Sequence, residues 1–164
     1  MHAEVIAIGD ELTSGARLDT NSQWLSQRLG ELGVRTLYHS TVGDDLAANV
    51  RVFREALDRA DIIVCTGGLG PTADDLTRQG LAETLGVELV LDEHSLARIR
   101  SMFARRKREM PERNTIQAMF PAGSRAIRNP HGTAPGIELR FERPERAPCH
   151  LFALPGVPAE MREM

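Results

Sequence analysis

The sequence predicts an α/β fold built on a mostly parallel sheet, and three observations predict it. Short apolar runs ending in glycine or turn residues recur at Glu4–Gly9, Val34–Val42 and Asp61–Thr66. The segments between them carry apolar residues at three- and four-residue intervals, the spacing of a helix face. Strand and helix therefore alternate through the first half of the chain, as parallel strands joined by helical crossovers do.

Each element has its own warrant. "EVIAIG" is a buried-strand run closed by Gly9. Thr20 and Asn21 can cap a helix to about Leu32, with Leu25, Leu29 and Leu32 on one face and Gly33 as its stop. "VRTLYHSTV" is rich in β-branched residues and reads as a strand. Asp44 or Asp45 caps a second helix carrying Leu46, Val50, Phe53 and Leu57. "DIIVCT" is continuously apolar, as a strand covered on both faces should be. A third helix is expected from about Asp74 to Leu85, and a fourth from Asp92 to about Arg108, ending in the basic run "RRKRE". That run reads as a solvated helix end favoured by the macrodipole. "ERNTIQAMF" reads as a short helix. Strands follow at Ser124–Arg128, Gly136–Phe141 and Cys149–Leu154, with "ERPERAP" as a loop between the last two. The chain stops at "LPGVPAEMREM", inside a helix opened by Val157 or Pro158, so a fragment of a longer protein is expected.

At 164 residues the chain suits one domain, and its net charge of −3 gives no ground for broad attraction to nucleic acid or an anionic membrane. Aromatic residues, 4% of the chain, are too few for a base-stacking platform. Cys65 and Cys149 lie in apolar runs without metal spacing and read as buried reduced thiols, and the five histidines show no ligand pattern. The N-terminus turns polar too soon for a signal peptide, and no stretch reaches transmembrane length; a cytoplasmic location is expected.

The chemistry concentrates in "TGGLGPTADDLT", Thr66–Thr77. Gly67, Gly68 and Gly70 leave backbone amides unobstructed, and a helix start behind them favours an anion. With Thr66 and Thr72 they are candidates to hold phosphate. Asp74 and Asp75 follow at once, and a carboxylate beside a phosphate repels it unless a cation lies between. Divalent metals are held by one or two carboxylates plus substrate phosphates. Asp75, with Asp74, is therefore a candidate metal ligand, and "GDEL" (Asp10, Glu11) and "VGDD" (Asp44, Asp45) place further acidic pairs at strand ends. Taken singly, each pair reads equally as a turn or a cap. In a parallel sheet these segments converge beyond the carboxyl ends of the strands. "NPHGTAPG", Asn129–Gly136, reads as a rigid turn or as a ligand wall with Asn129 and Thr133 as hydrogen-bonding groups. "LPGVP" offers a second backbone clamp at Pro155 and Gly156.

These motifs, "IGDEL.SG", "TVGDD", "TGGLGPT.DDLT", "N..QA", "NP.GTAPG" and "LPGVP.EM", occur in order over nearly the whole chain. The arrangement resembles the N-terminal domain of the competence/damage-inducible protein A (CinA) family, itself similar to the molybdenum-cofactor biosynthesis proteins MogA and MoaB. The resemblance implies a three-layer α/β/α sandwich of the molybdopterin-binding type and a single domain spanning residues 1–164. It implies hydrolysis of the diphosphate of ADP-ribose to AMP and ribose 5-phosphate with a divalent metal (Mg, Mn or Co). Asp75, Asp44 and Asp74 would act in catalysis and hold the metal. From the residues themselves, Thr66, Gly67, Gly68, Gly70, Thr72, Asn129, Thr133, Gly136, Pro155 and Gly156 are the candidates to surround the substrate, with Asp10 and Glu11 added by the acidic strand-end pattern and not by the resemblance. The alternatives are molybdopterin binding with adenylyl transfer, and a non-catalytic nucleotide-binding module linked to competence or DNA damage. Relatives form dimers or trimers, so a homo-oligomer is expected. Members of the family continue into a C-terminal nicotinamide mononucleotide deamidase domain, no part of which is present in this chain.

Overall fold

The computed structural model describes residues Met1–Met164 throughout. Strand β1 (His2–Ile8) ends at Gly9, and the chain turns at once into a single helical turn, α1 (Asp10–Thr13). Helix α2 (Thr20–Glu31) leads to strand β2 (Arg35–Val42), helix α3 (Leu46–Arg59) to strand β3 (Ile62–Thr66), and then comes helix α4 (Thr77–Leu85). Strand β4 (Leu89–Leu91), helix α5 (Glu93–Arg105) and a 3-10 helix (Glu112–Ala118) precede strands β5 (Met119–Pro121), β6 (Arg125–Ile127), β7 (Gly136–Arg143) and β8 (Arg146–Leu154). Helix α6 (Pro158–Met161) closes the chain, with Val157 as its N-cap residue and Pro158 opening it.

The six-stranded sheet runs β2-β1-β3-β8-β7-β6. Strands β2, β1, β3 and β8 are parallel; β7 returns antiparallel to β8 and pairs antiparallel with β6. The order reverses between β1 and β3, so a crevice opens outside their carboxyl ends. Register fixes which residues arrive there together: Ile8 pairs with Val42, Ala7 with Thr66, and Thr66 with Leu154.

Both sheet faces are covered. On one, Ile6, Ile8, Ile63 and Cys65 pack with Phe53, Ala56 and Leu57 of α3 and Leu81 of α4. On the other, Val5 and Val64 pack with Leu25 of α2 and Met161 of α6. The alternation of Val5 and Ile6 between the two clusters follows from the two-residue period of a strand. This is the three-layer sandwich. Helix α5 and the 3-10 helix form a satellite core through Leu96, Ile99 and Ala118. No helix is long and apolar enough to cross a membrane. Cys65 and Cys149 are both buried and unpaired.

Several expected boundaries move, each for a local reason. The cap of α2 is Asp19, which accepts the Ser22 amide at 2.9 Å, one residue ahead of Thr20. Leu32 falls beyond that helix and is 79% exposed. Asp45 rather than Asp44 caps α3, accepting the Ala48 amide at 2.8 Å. Helix α4 begins at Thr77, not Asp74, because the Asp75 carboxylate turns back onto the preceding loop instead of capping the helix. Helix α5 stops at Arg105 rather than Arg108, as Lys107 takes a positive φ of 53°. "ERPERAP" is mostly strand: β7 runs on to Arg143 and β8 starts at Arg146, with Glu145 at φ 56° in the tight turn. The small antiparallel sheet of β4 and β5 has only three residues per strand, too short to register as a period.

Candidate functional site

Four parallel strands discharge their loops at one rim, and those loops enclose a cleft of about 640 Å³. Its walls bring together Glu11 of α1, Asp44 after β2, Gly67, Gly68, Gly70, Thr72, Asp74 and Asp75 after β3, Thr133, and Pro155 and Gly156 after β8. Four candidates lie outside the wall. Thr66 is buried, and its hydroxyl donates to the Pro155 carbonyl at 3.0 Å while accepting from Asn21 Nδ2 at 3.2 Å. Thr66 and Asn21 thus lock the β8 loop against β3. Asp10 turns toward the Asp44 backbone. Asn129, 1% exposed, donates to the Ala134 carbonyl and to Glu160 and accepts the amides of His131 and Gly132. Its amide group folds the 129–136 loop rather than facing the cleft. Gly136 opens β7, pairs with Ile127, and sits against Ala153 of the neighbouring strand, behind the wall.

The glycine loop is shaped by close approach. Gly67, at φ 106°, lies against the Ile8 carbonyl, where a Cβ would collide with the oxygen. Gly68, at φ 64°, sits on the Thr77 side chain, whose hydroxyl donates to the Gly67 carbonyl at 2.8 Å. Not every amide expected to cradle an anion is available. Gly67 N–H donates to the Leu154 carbonyl at 3.0 Å, and Gly70 N–H donates to Asp75 at 2.8 Å. Gly68 and Leu69 keep amides that bond no other group of the chain.

Asp75 accepts from the Gly70 amide, the Thr72 amide at 2.9 Å and the Thr72 hydroxyl at 2.5 Å. A carboxylate has about four acceptor positions. Asp75 thus spends most of them on the loop and retains at most one for a cation. Asp74 is exposed and makes no hydrogen bond within the chain, while Asp44, in the loop after β2, lines the same cleft. Burial pushes the Asp44 carboxyl above its usual range; the Asp10 amide opposes this, and the negative charges of Asp10, Glu11 and Asp74 add to it.

No three acidic, histidine or cysteine side chains converge into a ready cage. A hard divalent cation needs less: one or two carboxylates, ligand phosphate oxygens and water. Asp44, Asp74 and Glu11 all line the cleft, and the charges of Glu11 and Asp74 are felt at Asp44.

Four lining or supporting residues were not candidates from sequence. Arg17 lines the cleft as its single cation. It sits in irregular chain after α1, tied to Glu11 through a backbone bond of 2.9 Å, and nothing in its local sequence marks it. Gln117 and Glu160 also line the wall; the "N..QA" and "P.EM" segments were visible, but not the side chains' direction. Arg78 lies beneath the loop, 2% exposed, with Nη1 donating to the Leu69 carbonyl at 2.8 Å and Nε and Nη2 unpartnered. Burial lowers its guanidinium to about 10, with Asp75 acting the other way. Helix α4, which carries it, packs against α3.

Residues 4–164 match the family described as "Probable molybdopterin binding domain". A protein of Desulforamulus reducens named competence-damage inducible is 46% identical over 164 residues, 100% of this chain and 39% of that protein. The protein of the same name from Acetivibrio thermocellus is 44% identical over 164 residues, 100% of this chain and 38% of its own length. The chain thus spans well under half the length of these curated relatives. A solved structure from Thermoplasma acidophilum, described as the protein CinA with unknown function, superimposes with a TM-score of 0.88 at 34% identity, covering 99% of this chain and 92% of that one. MoaB of Pyrococcus furiosus, described as a tungsten cofactor synthesizing protein, shares the fold at 20% identity and a TM-score of 0.62, covering 98% of this chain and 85% of its own.

Proposed function

Because the chain belongs to the molybdopterin-binding domain family, and within it groups with the competence-damage inducible (CinA) proteins, we propose that its cleft hydrolyses the diphosphate of ADP-ribose with a divalent metal. The observation that carries this reading is the meeting of Asp44, Asp74 and Glu11 with the unpaired amides of Gly68 and Leu69 across one cleft. An acidic wall facing free N–H groups suits a ligand that brings both phosphate oxygens and a bound cation.

In this reading the Gly68 and Leu69 amides hold one phosphate, and Arg17 holds the other from the opposite wall. The buried charge of Arg78 lies behind the loop and favours an anion in front of it. Asp44 and Asp74 would hold the metal, which supplies charge neutralisation on the phosphoryl oxygens. Asp75 keeps the loop in shape. Asp44 orients the attacking water and takes its proton. Water oxygen bonds to one phosphorus, the bridging P–O bond breaks, and the leaving phosphate departs with its charge, giving AMP and ribose 5-phosphate.

The test is ADP-ribose turnover with Mg²⁺, Mn²⁺ or Co²⁺, followed by product identification. AMP formation that disappears with chelator and in Asp44→Asn supports the reading. Binding of ADP-ribose without turnover under every metal rejects it, and points to a nucleotide-binding module instead. The fold shared with MoaB favours one further reading, pterin binding with adenylyl transfer; tighter binding of molybdopterin than of ADP-ribose to the same cleft would select it.

A further inference from the structure

Beside the acidic cleft lies a second cavity, of about 360 Å³ and opposite charge. The first turns of α5 form one side, and β6 with the Asn129–Pro135 loop forms the other. Thr133 lines both cavities, so one loop separates them. The floor is apolar, from Ile99, Met102 and Ile127; Arg98, Arg128 and His94 supply the polar rim, and no carboxylate lines it.

The arginines are gathered without anions. The ion pairs of the chain use Arg28, Arg59, Arg125, Arg140 and Arg143, and none uses Arg98, Arg105 or Arg128. Arg98 is half-buried, and its Nη2 donates to the Asn129 carbonyl, which anchors the guanidinium to the dividing loop. Burial, then the charges of Arg128 and Arg105, hold that guanidinium below its usual range. Like charges brought together in a partly desolvated recess disfavour one another, and a bound anion removes that cost.

We infer that this cavity is a binding site for a phosphate monoester carrying an apolar ring, of the nucleoside monophosphate class. Two guanidiniums match a phosphate dianion better than a carboxylate, through forked N–H donors. The Ile99, Met102 and Ile127 floor gives a flat ring a dry face, and the volume falls at the small end of the ligand-pocket range of about 300–1,000 Å³. The site is independent of the chemistry assigned to the cleft.

Amide NMR of the 18.1 kDa chain tests it. AMP, adenosine and inorganic phosphate are titrated separately in the presence of EDTA, which removes cations from the acidic cleft. AMP is expected to shift the amides of Arg98, Ile99 and Arg128. Adenosine and phosphate should each bind about tenfold more weakly, since each lacks one half of the recognition. Arg128→Met, an exposed change that leaves the core untouched, should weaken AMP about tenfold, and Arg98→Met with Arg128→Met should abolish it. Shifts confined to the Gly67–Asp75 loop, no shift at millimolar AMP, or unchanged affinity in Arg128→Met would each overturn the proposal.

Discussion

Asp10 and Asp44 exchange hydrogen bonds across two neighbouring strand ends: the Asp10 amide donates to Asp44 Oδ2 at 3.1 Å, and the Asp44 amide donates to Asp10 Oδ1 at 2.9 Å. The exchange splices the loop after β1 to the loop after β2, and it places two carboxylates side by side with Glu11 and Asp74 near. One Asp10 oxygen is thereby committed to the Asp44 backbone, and the Asp10 amide holds the Asp44 carboxylate in place.

Asp44→Asn should separate stability from activity. The Asp44 pKa is raised in the fold, so its protonation favours the native state: that contribution is present at low pH and is lost as pH rises through the folded pKa. At pH 7 the wild type carries the full like-charge cost. The asparagine keeps an oxygen for the Asp10 amide and drops the charge, so its melting temperature at pH 7 should equal or exceed the wild type's. The difference should shrink as pH falls toward 4. Diphosphate hydrolysis should fall about a hundredfold or more. A melting series from pH 4 to 8 beside initial rates checks both.

Asp75→Ala should damage the loop itself. It removes the acceptor of the Gly70 amide, the Thr72 amide and the Thr72 hydroxyl. Only the Gly70 amide is part-buried; the Thr72 donors are exposed and turn to water, so the loss is about 1 kcal/mol, toward the lower end of the range of about 1–3 kcal/mol for a lost partner. Urea unfolding should therefore show a lower midpoint, and ligand binding should weaken together with turnover. A variant with native stability and a defect in kcat alone would mean that Asp75 meets the reacting groups rather than the loop.

The parallel half of the sheet was legible because Val5, Ile6, Ile63 and Val64 are buried on both faces and leave an unbroken apolar run. The convergence of "GDEL", "VGDD", "TGGLGPTADD" and "LPGVP" was legible from the same topology, without any side-chain geometry. What sequence could not supply was the direction of side chains once the loops folded. Asp75 and Asp10 are acidic residues in acidic motifs, yet each spends oxygens on backbone amides, a choice made by loops that only tertiary packing sets. Asn129 has the composition of a ligand-binding residue and the contacts of a loop pin. Arg17 joins the cleft from a stretch with no periodicity at all. The strands β4 and β5 were missed because three residues cannot display a period.

Both thiols should be silent in the folded protein. Burial pushes Cys65 up to about 12 and Cys149 up to about 11, so neither is a thiolate at pH 8. A disulfide-exchange reagent at that pH should label neither on the minute timescale and both in denaturant. Rapid labelling of Cys65 under native conditions would show that β3 opens locally.

The strongest stability effect away from the cleft should come from Arg59→Ala. Glu4, in β1, has no exposed surface, and three bonds hold its carboxylate: Arg59 Nε at 2.8 Å, Arg59 Nη2 at 2.6 Å and Ser40 Oγ at 2.6 Å. Removing the arginine leaves a buried carboxylate with the serine alone. Such a loss costs about 3–5 kcal/mol in a sealed interior, and the 35% exposure of the Arg59 side chain places this case at the lower end. Glu4→Gln with Arg59→Met removes both charges and should recover much of the loss. The pair sits near the amino end of β1, at the opposite edge of the sheet from the cleft, so the double variant should retain ADP-ribose affinity. Chemical denaturation of the two variants, with binding measured on the folded double variant, tests whether β1 transmits strain from one end of the sheet to the other.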